Sequence, residues 1–186
     1  MKTIKILKAL INILYVLLLI ALGIATLFLI MLLFFDDSLP TILQGYKMIF
    51  SSFFSWKTYL IPMTTAINFV LFIISISFLR KCVSLFMESD FYSDDVIKSL
   101  KKAGNLFVFI GVSTIIAQLF SVLYIQNLAQ NIIQIKASFF YKFLNTVIAV
   151  IDLKSIFSIV IGLFLLLFSK IFENSRTLKL ENDLTI

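Results

Sequence analysis

ALINILYVLLLIALGIATLFLIMLLFF, residues 9–35, carries no charged side chain. A helix needs about 20 apolar residues to cross the hydrocarbon core of a bilayer. Three further apolar runs lie near residues 59–79, 105–125 and 155–172, the last with Lys170 near its end. In lipid, backbone amides pair within their own segment or around a closed barrel. Barrel strands alternate apolar and polar residues, and these runs are continuous, so they read as helices. The expected fold class is all-α: a polytopic membrane protein with a four-transmembrane-helix bundle, in one membrane domain covering residues 1–186.

Composition supports that class. The chain is 61% hydrophobic, with a mean hydropathy of +1.07. A soluble domain is roughly 45–50% apolar. The net charge of +6 reads as topology signals and lipid-headgroup contacts. No basic helix is long enough to read DNA, so direct nucleic-acid binding is not expected. Cys82 is the one cysteine and histidine is absent, which removes an internal disulfide and the commonest general base and metal ligand. Lys2, Lys5 and Lys8 resemble a signal-peptide n-region, but the run after them is too long for an h-region. It reads as a retained anchor.

Charge asymmetry orients the spans. With the N-terminus inside, the inner set is Lys2, Lys5, Lys8, Arg80, Lys81, Lys98, Lys101, Lys102, Lys170, Arg176 and Lys179. The outer set is smaller: Lys47, Lys57, Lys136, Lys142 and Lys154. The expectation is N-in/C-in.

The inner loop keeps helical spacing. Val83, Phe86 and Met87 fall on one face, and Ile97, Leu100 and Gly104 do so again beyond a break at Ser89–Ser93. Ser93 or Asp94 suits an N-cap, and Asp94 and Asp95 suit the positive end of a helix. Spans two and three are thus expected to extend past the membrane as a cytoplasmic helical hairpin. On the outer side, residues 36–58 and 126–154 are rich in aromatics, as interfacial anchors are. A pocket for a hydrophobic ligand there stays open. Residues 137–151 are short for a fifth span and contain Lys142 and Asn145.

Chemistry is not signalled. Apart from Lys170, near the end of the fourth run, none of the four runs contains an Asp, Glu, Lys or Arg of the kind that marks ion or proton pathways. No P-loop, HExxH, GxSxG or GxGxxG is present. Catalytic, cofactor-binding and metal sites are not expected, and neither is enzyme activity. The spans instead hold small and weakly polar residues: Ala21, Ala25, Thr64, Asn68, Ser75, Thr114, Ala117, Gln118, Ser121, Ser158 and Gly162. Such residues let membrane helices approach closely and bond across the contact. Asn68 and Gln118 fall at similar depth, so both are expected in the bundle interior, near each other.

Three features together resemble a bacterial family. They are four spans, the inner turn Phe91-Tyr92-Ser93-Asp94-Asp95-Val96 running through Gly104, and a charged tail ending Leu180-Glu181-Asn182-Asp183-Leu184-Thr185-Ile186. The chain resembles the membrane family DUF2975, although it has Ser89-Asp90-Phe91 where a Gly-x-Pro-Phe type turn is expected. Members are often encoded beside a small helix-turn-helix DNA-binding protein. The resemblance therefore implies a non-enzymatic regulatory or sensory protein with such a cytoplasmic partner. A small transporter or permeability subunit, and an accessory of a membrane enzyme, are the alternatives. Homo-oligomerisation stays open. The expected partner-binding residues are Phe91, Ser93, Ile97, Leu100, Leu184 and Ile186, with Leu184 and Ile186 docking from the short tail.

Overall fold

The computed structural model describes residues 2–34, 56–87, 92–133, 143–144, 146–148 and 152–183. Four helices make up nearly all of these: α1 (Lys2–Phe34), α2 (Trp56–Met87), α3 (Asp94–Ile133) and α4 (Leu153–Asp183). All four are long and apolar enough to cross a membrane. They outlast the apolar runs. At 1.5 Å per residue the 40 residues of α3 extend roughly 60 Å, twice the ~30 Å hydrocarbon core.

Local signals account for two of the helix starts. Ser93 caps α3: its hydroxyl oxygen accepts the Val96 amide at 3.4 Å. Its carbonyl accepts the amides of Val96 and Ile97 at 3.1 and 3.2 Å. Asp94 and Asp95 occupy the first turn, where negative charge is favourable. Asp152 caps α4, its carboxylate accepting the Lys154 amide at 3.2 Å. Pro62 lies inside α2. It has no amide to offer the carbonyl one turn earlier.

Consecutive helices run antiparallel, and the extensive contacts follow chain order: α1 on α2, α2 on α3, α3 on α4. A closed square would also pair α4 broadly with α1. Here α2, α3 and α4 form a three-helix unit instead, closed at one end. There Cys82, Val96 and Leu100 are buried against Leu79, Leu85, Phe86, Leu165 and Phe172. The Phe172 ring meets Phe86 and Tyr92 edge-on, with centroids 5.9 and 6.0 Å apart.

The α3–α4 contact is the closest. A Cβ on Gly104 would lie 2.8 Å from the Gly162 carbonyl oxygen, and one on Gly162 would lie 2.7 Å from that of Gly104. The backbones touch at this crossing. Small residues continue the seam in steps of seven: Gly104 and Gly111 on α3, with Ser155, Gly162 and Ser169 on α4. A seven-residue period keeps one stripe facing its partner along antiparallel helices. Hydroxyls bridge the seam. Ser158 donates to the Phe107 carbonyl at 2.9 Å and Ser169 to the Ile97 carbonyl at 3.0 Å.

α1 rides along α2. Its less exposed positions are Ile4, Lys8, Ile11, Asn12, Leu14, Tyr15, Leu18 and Leu22. Ala21 and Ala25, expected in the interior, are exposed. The stripe on α1 is set by larger side chains, and residues 23–28 and Ile30 are exposed.

Candidate functional site: the charged end of the array

One end of the array gathers the start of α1, the end of α2, the start of α3 and the end of α4. The first charges beyond the apolar runs lie there. Lys81 of α2 pairs with Asp95 of α3 at 3.2 Å, and Arg176 of α4 pairs with Asp94. Lys170 pairs with Glu173 one turn on, at 2.8 Å. Lys102 lies over the Phe78 ring, 5.4 Å from its centroid. Between α1 and α2, Lys8 donates to the Ser84 hydroxyl at 3.3 Å, and the Arg80 guanidinium lies 5.2 Å from the Tyr15 ring centroid. Such exposed pairs contribute about 0–1 kcal/mol each. Their value here is geometric, because they join four chain segments above a buried apolar cluster.

The expected partner residues divide. Phe91, Leu184 and Ile186 lie outside the described residues. Ser93 is the cap of α3. Leu100 is 5% exposed, inside the apolar cluster. Ile97 is half-buried and its carbonyl holds Ser169. At this end Val83 and Leu100 are buried. Leu165 and Phe172, both within the apolar run of α4, pack on the cluster of Cys82, Val96 and Leu100. α4 does not stop where that run stops. It stays helical through Asp183, so most of the expected tail is helix. What remains outward is the Lys98, Lys101 and Lys102 face of α3, with Leu178 and Leu180 on α4.

Inside the apolar region, Asn68 is 9% exposed. Its amide group donates to the Thr114 hydroxyl at 3.0 Å, and its amide oxygen accepts the Ser113 hydroxyl at 2.8 Å. Gln118 takes a different partner, donating to the Asp152 carboxylate at 3.4 Å. Asn68 and Gln118 therefore serve separate contacts: α2 to α3, and α3 to the cap of α4. Further out, Gln126 donates to Thr146 at 3.1 Å, tying the 143–148 segment to α3. The seven-residue seam and the Gln118–Asp152 link were not anticipated. The repeat of small residues in the third and fourth runs is the signal that carries the seam.

Chemically, the charged end can hold anions or acidic surfaces. Its one thiol, Cys82, is 2% exposed. Among the described residues no three metal-ligating side chains gather. No curated protein and no solved structure matches the chain. The pattern of the family described as "Protein of unknown function (DUF2975)" matches residues 51–186, which contain α2, α3 and α4. With that match over most of its length, the chain belongs to the DUF2975 family.

Proposed function

We propose that this is a non-enzymatic regulatory or sensory protein of the bacterial cytoplasmic membrane. Both termini face the cytoplasm, and the charged end receives a cytoplasmic partner. The observation that carries the reading is that α2, α3 and α4 continue as helices beyond their apolar runs and are tied there by Lys81–Asp95 and Arg176–Asp94. A loop that only connects spans needs no such frame. The contact surface is the Lys98, Lys101 and Lys102 face with Leu178 and Leu180, joined by Phe91, Leu184 and Ile186. Ile97 and Leu100 serve it indirectly, by holding α3 on α4. The partner suggested by the family resemblance is a small helix-turn-helix DNA-binding protein.

The test is site-specific photocrosslinking in intact cells. A crosslinker at Lys101 or Leu178 should capture the same helix-turn-helix protein, and one at Phe109, exposed in the apolar part of α3, should not. Absence of that protein from both charged-end positions would remove the proposal.

A further inference from the structure

The charged end is unequally neutralised. On the α3–α4 side, Asp94, Asp95 and Glu173 answer Arg176, Lys81 and Lys170. Neither α1 nor α2 contains Asp or Glu. Yet Lys8 and Arg80 both lie along the contact between these helices, Lys8 on Ser84 and Arg80 on the Tyr15 ring. Lys8 reaches Ser84, one turn beyond Arg80, and Arg80 reaches Tyr15, two turns along the Lys8 face. Among the described residues neither cation has a carboxylate partner. Glu88 and Asp90 lie outside the described residues, and even with them the cations at this end of α1 and α2 outnumber the acids.

Depth narrows what can supply the missing charge. Lys8 immediately precedes the apolar run of α1, and Arg80 immediately follows that of α2. Both stand at the level where a bilayer changes from acyl chain to headgroup. A tyrosine ring and a serine hydroxyl beside them suit that boundary. Basic pockets between membrane helices bind phosphate-bearing headgroups by charge and hydrogen bonds. We propose that the groove formed by Lys8, Tyr15, Arg80 and Ser84 is a site for the phosphate of an anionic phospholipid, seated between α1 and α2.

The experiment uses the full-length protein in phosphatidylcholine nanodiscs with a rising fraction of phosphatidylglycerol, and native mass spectrometry to count retained lipid. Each basic residue near a membrane surface contributes enough to change affinity about fivefold. Phosphatidylglycerol retention should weaken about fivefold in Lys8→Gln and about thirtyfold in Lys8→Gln/Arg80→Gln. The equally charged Lys98→Gln/Lys101→Gln control should retain it. Lys8→Gln removes a single half-buried hydrogen bond, to Ser84, and leaves the cluster around Cys82 untouched, so the prediction stands even where the double variant fails to fold. Equal weakening in the control would mean diffuse surface attraction and overturn the site. Equal retention of phosphatidylcholine would overturn it too. So would inorganic phosphate displacing the lipid at matched concentration, since the ligand would then be a free anion.

Discussion

Gly162→Ala should separate α3 from α4. The added methyl would sit 2.7 Å from the Gly104 carbonyl oxygen, 2.7 Å from Val108 Cγ2 and 2.8 Å from the Val108 amide nitrogen. Ordinary contact begins near 3.4 Å, so the helices must move apart by about 0.7 Å at this crossing. The Val108 side chain can rotate away, but the two backbone atoms cannot. Overpacking of this kind costs about 1–3 kcal/mol. Replacing glycine by alanine in a helix returns up to about 1 kcal/mol. The net expectation is a loss of about 0–2 kcal/mol, or about 1–3 kcal/mol relative to a glycine-to-alanine change with no clash. Gly104→Ala/Gly162→Ala should cost less than the sum of its parts, because one separation accommodates both methyls.

Gly23→Ala is the internal control. It makes the same chemical change in α1, where nothing lies within 4 Å of the added methyl. It should be neutral or slightly stabilising. The assay is reversible unfolding of the full-length protein in mixed micelles, followed by circular dichroism over a denaturing-detergent titration. If Gly162→Ala proves as stable as Gly23→Ala, the helices are not in backbone contact at this crossing and the account of the seam fails.

Other outcomes follow from the same contacts. Asn68→Leu should cost only about 0.6–2 kcal/mol in that titration, because Ser113 and Thr114 each keep the Ile110 carbonyl as an acceptor; a larger loss would mean that the amide holds more than two hydroxyls. In the proposed orientation, cysteines placed at Gln44 and Gln134 should react with an impermeant thiol reagent in intact cells and those at Ser89 and Asn182 should not, so labelling at Ser89 would invert the topology. Replacing Leu184 and Ile186 with serine should abolish capture of the partner without lowering the amount in the membrane, and unchanged capture would remove the chain end from the mechanism.

What was legible in the chain followed from what each pattern measures. The four apolar runs announce four helices, because only paired backbone survives in lipid. Hydropathy reports the surrounding medium, however, and not where a helix stops. Residues 173–182 are polar or mixed and still helical, so the end of α4 could not be read from it. The cap at Ser93 was legible because a hydroxyl before two aspartates is a local signal. Asn68 was legible as an interior residue, since an amide in an apolar run needs a partner. Its partner was not, because depth along a span does not give rotation about the helix axis. Gln118 is at similar depth but bonds to Asp152, while Ser113 and Thr114 reach Asn68.

The same distinction explains why the charged end has two characters. On α3 and α4, charges that hydropathy would count as topology signals are committed to one another through Asp94 and Asp95. That commitment ties α2 and α4 to the start of α3, and any movement of α4 along the glycine seam must break Arg176–Asp94 or drag it along. On α1 and α2 the cations meet no acid from either helix, and they add polar contacts, Lys8 to Ser84 and Arg80 to Tyr15, to the apolar stripe of α1. A signal that arrives through the partner surface is therefore felt first by the α3–α4 pair. A change in the lipid is felt first at α1. Lys81–Asp95 is the ion pair that joins the two halves. Where capture at Leu178 varies with phosphatidylglycerol content, Lys81→Gln should reduce that variation by up to about fivefold, as an exposed pair of about 1 kcal/mol allows. Unchanged lipid dependence of capture in that variant would show that the two halves act separately.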